Sequence, residues 1–102
     1  MKIALDWDQT YTLDPEFWFD FIKTSKDKGH DIRIVTLRKP EMEDEPLKWI
    51  KQFIPVIYTS SQQKREYCVS IDFHPQIWID DSPEFIVSRD VAKYLEVFNP
   101  KE

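Results

Sequence analysis

Short apolar runs that alternate with helix-like stretches constrain this chain more than any other feature. Five runs have the length of strands, at residues 2–7, 31–36, 55–58, 76–80 and 95–98. The second and fourth are nearly continuous in apolar side chains, which is typical of parallel strands covered on both faces. Strands that alternate with helices join through right-handed crossovers into one parallel sheet. The sequence therefore predicts a three-layer, Rossmann-like α/β domain.

Helix signals fill the stretches between these runs. Asp14 followed by Pro15 predicts a capped helix start, and Gly29, the only glycine, stands where that helix would end. The aromatic side chains of this helix recur at helical spacing, so we expect them in the core: Phe17, Trp18 and Phe21. Further helices are predicted from Pro46, over residues 62–69, and after Ser82-Pro83.

Length and composition indicate a small soluble protein. A chain of 102 residues fits one domain, residues 1–102, and its net charge of −5 argues against a general nucleic-acid binder. Cys68 is the only cysteine, which excludes an internal disulfide and favours a reducing compartment. Charges interrupt the amino terminus before a signal-peptide core forms, and no apolar stretch nears the roughly 20 residues that span a bilayer. We expect a cytoplasmic protein.

Carboxylates gather at the carboxyl ends of the predicted strands, where ligands bind in such sheets. Asp6 and Asp8 follow strand one, Thr36 ends strand two, and Asp80 and Asp81 follow strand four. Four carboxylates in one crevice repel each other unless a cation neutralises them, and all-oxygen ligands with phosphate chemistry favour Mg²⁺. The alternative is that the first pair only ends a strand and caps a turn.

The arrangement of these residues resembles the haloacid dehalogenase superfamily. Four segments are similar to its motifs, in family order: Asp6-Trp7-Asp8-Gln9-Thr10, residues 32–36, Lys64, and residues 77–81. The resemblance implies a five-stranded parallel sheet ordered 5-4-1-2-3, so that the two acidic pairs meet. It also implies a phosphatase, a hydrolase of phosphoric monoesters that works through an aspartyl-phosphate intermediate. Gln9 departs from the glycine that the family frequently has there.

The resemblance assigns a role to each matched position. Asp6 is the expected nucleophile and Asp8 the acid and base, and the phosphoryl group is expected to meet Thr36 and either Lys64 or Arg65. The metal ligands it implies are Asp6, the backbone carbonyl of Asp8, Asp80, and Asp81 through water. The substrate-binding residues that we expect are Thr36, Leu37, Arg38 and Lys64.

No segment is long enough for the cap domain that larger members carry, because residues 10–14 are a short connection and residues 37–63 hold one loop, one helix and one strand. A capless, open site admits a macromolecular substrate, either a phosphoprotein or a nucleic-acid end, or a lid from a second subunit, so monomer and dimer both stay open. Asp80-Asp81-Ser82-Pro83 is similar to the Asp-Asn-Ser-Pro of capless phosphatases that act on protein carboxy-terminal repeats. Arg38 and Lys39 are expected at the rim, beside an acidic loop at residues 41–45, as substrate contacts or as a solvated pair.

Two other functions fit parts of the pattern. A phospho-acceptor signalling module, like response-regulator receivers, also combines acidic residues with a Thr and a Lys, but it carries its phosphorylated Asp on the third strand. Residues 55–58 hold no Asp. The other alternative is a phosphate-specific binding module without turnover, against which stand the filled catalytic positions. His30, His74 and Cys68 lack the spacing of zinc ligands.

Overall fold

The computed structural model describes residues 1–87. Its strands are β1 (Lys2–Leu5), β2 (Asp31–Thr36), β3 (Val56–Tyr58) and β4 (Ile77–Ile79), and its α-helices are α1 (Pro15–Asp27), α2 (Glu45–Ile50) and α3 (Lys64–Ser70). Short 3₁₀ turns occur at Tyr11–Leu13, Pro40–Met42 and Pro83–Phe85. None of the helices in this part of the chain has the length and apolar character needed to cross a membrane.

The described strands form one sheet in the order β3-β2-β1-β4, and every pairing is parallel. This confirms the parallel α/β class and the contact between strands one and four. The expected five-stranded sheet and its order 5-4-1-2-3 are corrected, because the described sheet has four strands. The fifth predicted strand, residues 95–98, lies outside the described residues, as does most of the helix predicted after Ser82-Pro83.

Helices cover both faces of the sheet, because successive side chains of a strand point to opposite sides. Ile3 and Leu5 of β1 pack with residues of α1 and α2, whereas Ala4 between them packs with Cys68 of α3 and with Phe73. The fourth strand departs from the sequence expectation of burial on both faces. Ile77 is 40% exposed, because β4 lies at an edge of the described sheet.

The first helix begins and ends where its sequence predicts. The Asp14 carboxylate accepts a hydrogen bond from the Phe17 amide, and Pro15 occupies the first helical position. Gly29 follows the helix with φ +84°, a conformation that costs glycine little. The core expectation holds for only part of the aromatic stripe. Trp18 and Phe21 pack against the core, but Phe17 is 56% exposed because it lies in the first turn, at the margin of the covered face.

Candidate active site

The two acidic pairs meet because β1 and β4 are adjacent and in register. Leu5 of β1 lies opposite Ile79 of β4, so the carboxyl ends of the two strands lie side by side. The Asp6 amide donates to the Ile79 carbonyl at 2.9 Å, which extends the ladder by one bond. Asp6 and Asp80 are therefore fixed side by side by backbone pairing, as the sequence predicted.

The first residue of α3 places an ammonium between these two carboxylates. Lys64 Nζ donates to Asp6 Oδ1 at 2.7 Å and to Asp80 Oδ2 at 2.5 Å. Its side chain is only 2% exposed, so the pairing takes place out of water, where charges interact strongly. Arg65 is exposed. Of the two cations that the sequence left open, the structure therefore brings Lys64 into the site.

A tight turn after β1 orients the Asp6 carboxylate. Thr10 Oγ1 donates to Asp6 Oδ2 at 3.0 Å, while the Gln9 amide donates to Thr12 Oγ1 at 3.0 Å. Gln9 has φ +63°, in the left-handed region that glycine enters most easily. Gln9 thus adopts a conformation that glycine enters easily, at the position where the resemblance would favour a glycine.

Three carboxylates form the group best suited to a cation. Asp6, Asp80 and Asp81 each offer an oxygen, and these oxygens lie within 4.8 Å of one another. Asp80 is held by two contacts, since its Oδ1 accepts from the Ser82 amide at 2.9 Å and its Oδ2 from Lys64. The side chain of Asp8 is not a member of this group, so its predicted metal contact rests on its backbone carbonyl and stays a prediction.

Burial changes the ionisation of the candidate nucleophile. Loss of hydration raises the pKa of Asp6 to about 6, and the nearby acids Asp80 and Asp81 add to the rise. Lys64 acts in the opposite direction, through its hydrogen bond and its charge. At neutral pH this carboxylate is ionised, as its candidate role as a nucleophile requires. Its pKa is nevertheless much closer to 7 than that of an ordinary aspartate.

Asp8 faces a different partner. Arg38 donates from Nη2 to Asp8 Oδ1 at 2.7 Å and from Nε to Asp8 Oδ2 at 3.0 Å, a bidentate pair. Its Nη1 donates to Asp44 Oδ2 at 2.9 Å and to the Met42 carbonyl at 3.1 Å. These contacts raise the pKa of the guanidinium above its already high value. The sequence predicted that Arg38 contacts the substrate. In the structure its guanidinium binds the carboxylates of Asp8 and Asp44.

The remaining predicted residues line a small cavity beside these groups. Thr36 is buried at the end of β2, and its Oγ1 accepts from the Arg38 amide at 3.3 Å. The cavity has a volume of about 180 Å³. Most of the predicted site residues line this cavity: Asp6, Asp8, Thr36, Leu37, Lys64, Asp80 and Asp81. Three residues that the sequence did not assign to the site also line it: Gln9, Ser82 and Phe85.

Sequence reasoning missed three contributors to this site. Thr10 belongs to the first motif but received no role, and Ser82 was interpreted only as a helix start. Asp44 was predicted only as part of an acidic loop, whereas its carboxylate caps α2 by accepting from the Leu47 amide at 3.1 Å and also binds Arg38. An Asp shortly before Pro46 is a signal for the cap, but nothing in the sequence pairs it with Arg38.

Comparisons with protein-family models, with curated proteins and with solved structures give no match to this chain. The likeness to the haloacid dehalogenase superfamily therefore rests on the four motifs alone and remains a prediction.

Proposed function

We propose that this protein is a magnesium-dependent phosphomonoester hydrolase that works through an aspartyl-phosphate on Asp6. One observation carries the proposal above the others. Lys64, a buried ammonium, bridges Asp6 and Asp80 beside a cavity that Asp8 and Thr36 also line. An ionised carboxylate, a fixed cation and a second carboxylate around one small cavity are the components of phosphoryl transfer to an aspartate.

Charge balance supports a divalent cation in this site. Asp6, Asp80 and Asp81 bring three negative charges and Lys64 one positive charge, which leaves two negative charges to be neutralised. Their donors are all oxygen, which suits a hard ion such as Mg²⁺. We infer that these three carboxylates hold it, with the Asp8 carbonyl as a further ligand. Magnesium supplies neutralisation of the charge on the phosphoryl oxygens.

In the first step an Asp6 carboxylate oxygen attacks phosphorus and forms the acyl-phosphate bond. The bond from phosphorus to the ester oxygen breaks, and its electron pair stays on the departing oxygen. Asp8, in its protonated form, gives that oxygen a proton, so that the alcohol leaves neutral and Asp8 becomes a carboxylate. Lys64 and the Thr36 hydroxyl, which both line the cavity, donate hydrogen bonds where negative charge accumulates in this proposed step.

The second step returns the protein to its starting state. The Asp8 carboxylate takes a proton from a water molecule, and the resulting oxygen attacks phosphorus. The bond between phosphorus and the Asp6 oxygen breaks, its electron pair returns to Asp6 as a carboxylate, and inorganic phosphate leaves. Asp8 is protonated again, so protons, atoms and electrons balance over the two steps.

The size of the cavity bears on the substrate. About 180 Å³ holds a phosphoryl group and little more, so the rest of the ester must lie outside on the rim. The connection after β1 is a single 3₁₀ turn, Tyr11–Leu13, which provides no cap. We therefore favour a macromolecular phosphate, on a phosphoprotein or a nucleic-acid end, with a lid from a second subunit as the other solution.

A reducing, cytoplasmic setting fits the one cysteine. Cys68 is fully buried, and burial raises the pKa of its thiol to about 11. Such a thiol is little ionised at neutral pH and reacts slowly, so we assign Cys68 the role of packing α3 against the sheet.

The test is to trap the phosphoenzyme. Wild-type protein is mixed with p-nitrophenyl phosphate and Mg²⁺, quenched in acid, and examined by mass spectrometry for an added phosphoryl group that hydroxylamine removes. We expect the adduct on Asp6 and none in Asp6→Asn, whose turnover falls by at least about 10²-fold. Asp20→Asn, at an exposed position on α1, makes the same chemical change away from the site and should behave as wild type.

Absence of the adduct and of chelator-sensitive turnover in the wild type would show that the proposal is wrong. If the wild type then still binds Mg²⁺ and inorganic phosphate, the binding module without turnover replaces it. Hydrolysis that persists in Asp6→Asn at wild-type rate would instead indicate that water attacks directly.

A further inference from the structure

Asp8 is far more exposed than the two carboxylates that Lys64 binds, and an exposed side chain turns easily unless something holds it. Its side chain is 51% exposed, compared with 7% for Asp6 and 3% for Asp80. An acid or base must keep its oxygens in place to transfer a proton efficiently, and a displacement of about 1 Å costs up to about 10²-fold in rate. Something must therefore hold Asp8, and the structure offers one group in contact with both of its carboxylate oxygens.

We propose that Arg38 is a positioning residue that holds the Asp8 carboxylate ready as the base of the second step, an assignment that rests on the proposed function. The two N–H groups of Arg38 that face Asp8 reach one oxygen each, which fixes the carboxylate in the plane of the guanidinium. In the second step a carboxylate held in this way can accept a proton from water without first having to turn. Each oxygen keeps a second lone pair for that proton.

Arg38 can act in this way because its own position is fixed. Its side chain is 20% exposed, and Nη1 is tied to Asp44 Oδ2 and to the Met42 carbonyl. Asp44 in turn caps α2 through the Leu47 amide. One side of the guanidinium therefore binds the start of α2 through Asp44, and its other side binds Asp8.

The loop that carries these contacts is anchored a second time. Glu43 Oε2 accepts from Lys51 Nζ and from the Tyr58 hydroxyl, both at 2.6 Å. These bonds tie the loop to the end of α2 and to β3. Residues 42–44 are thus an anchored support for Arg38, and through it a side chain on the rim can set the orientation of Asp8.

The inference separates the two roles open to Arg38. A substrate-binding arginine contributes before the alcohol leaves, so its loss weakens binding or slows formation of the phosphoenzyme. An arginine that positions the base contributes after the alcohol has left, so its loss slows decay of the phosphoenzyme. Decay does not involve the alcohol, and the unidentified natural substrate is therefore not needed for the test.

The experiment measures formation and decay separately in rapid-quench assays with p-nitrophenyl phosphate, whose leaving group departs without a proton. In Arg38→Ala we expect decay to slow by about 10–100-fold, formation to change less than about threefold, and the phosphoenzyme to accumulate. Arg38→Lys keeps the charge but lacks the planar pair of N–H groups that fixes the orientation of a carboxylate, so it should not fully restore decay. Asp44→Asn still caps α2 and should slow decay by a smaller factor.

The matched control is Arg33→Lys. Arg33 makes the same bidentate pair with Asp31, at 3.0 Å on both bonds, on a part of β2 away from the cavity. Its loss should leave both rates unchanged, so an effect restricted to Arg38 is not a general effect of losing such a pair. Arg38→Lys and Asp44→Asn preserve charge or cap, so the test stands even if Arg38→Ala does not fold.

The possible failures are distinguishable. A wild type that forms no phosphoenzyme overturns the proposed function and this assignment together. A wild type that forms it, with decay equally fast in Arg38→Ala, overturns the assignment alone, as does full rescue by Arg38→Lys. A variant in which formation slows and decay does not would return Arg38 to the role of a substrate contact.

Discussion

Two opposing effects act on the pKa of Asp6, and their balance can be measured as a pH dependence of stability. Burial raises its pKa and Lys64 lowers it, and burial dominates, with the pKa at about 6. The reference value is 3.8, so the native state holds a proton on Asp6 at pH values where the unfolded state has lost it. Native proton binding exceeds unfolded proton binding between those two values, and stability therefore falls as pH rises through that interval.

We expect metal-free protein to lose about 2–3 kcal/mol of unfolding free energy from Asp6 between about pH 4 and pH 6, since one pKa unit corresponds to about 1.4 kcal/mol. Urea unfolding in chelator at several pH values measures this. Asp6→Asn cannot titrate and isolates the effect by difference. The same pH slope in wild type and Asp6→Asn would contradict the raised pKa.

The sequence predicts the contacts of a residue well when they follow from its place at the end of a strand or helix, and poorly when they depend on how a loop folds. Asp6 and Asp80 were predicted to meet because each directly follows an apolar strand, and parallel pairing aligns strand ends. The contact between Arg38 and Asp8 spans 30 residues and depends on where a loop folds back over the strand ends. No periodicity or cap signal encodes such a contact, so the sequence placed Arg38 at the rim without its partner.

Elements were predicted best where one strong signal marks each end. The Asp14-Pro15 start and the Gly29 end located α1, and β2 was predicted with both of its bounds. Spacing alone was less reliable, because helical periodicity shows which side chains share a face and not how much of that face is covered. Phe53 follows Leu47 and Ile50 at helical spacing, but α2 ends at Ile50, and Phe53 is 38% exposed although the other two are buried.

The first turn of α3 permits a direct comparison of two neighbouring cations. Lys64 points into the site and Arg65 toward solvent, because consecutive helical residues point in different directions. Lys64→Met should cost about 3 kcal/mol of unfolding free energy without metal, since it leaves two buried carboxylates unpaired. Arg65→Met should change it by less than about 0.5 kcal/mol.

Urea denaturation of both variants at neutral pH in chelator measures these differences, and Mg²⁺ should recover part of the loss in Lys64→Met. Equal losses in the two variants would mean that the ammonium does not offset the acidic site, and Lys64 would lose its place in the proposed mechanism.

The whole molecule carries a net charge of −5, and three of its 19 acidic side chains lie together at one end of the sheet. We expect such a site to favour binding of a cation to the native state, in which the three carboxylates are brought together. If Mg²⁺ binds the native state only, it stabilises that state by RT ln(1 + [L]/Kd), about 2.7 kcal/mol at one hundred times Kd. For a domain of this size such a gain raises Tm by about 10 °C or more.

We therefore expect Tm to rise with Mg²⁺ concentration at constant ionic strength, and the rise to be lost in Asp80→Asn, which removes one of the three proposed ligands. General screening of an acidic surface would also raise Tm, so Asp72→Asn serves as the control. Asp72 is 95% exposed, does not line the cavity, and has φ +60°, a conformation that Asn adopts readily, so this variant removes the same charge outside the site. Its response to Mg²⁺ should equal that of the wild type. An equal rise in all three proteins would show that Mg²⁺ acts by screening alone, and the metal assignment would then be wrong.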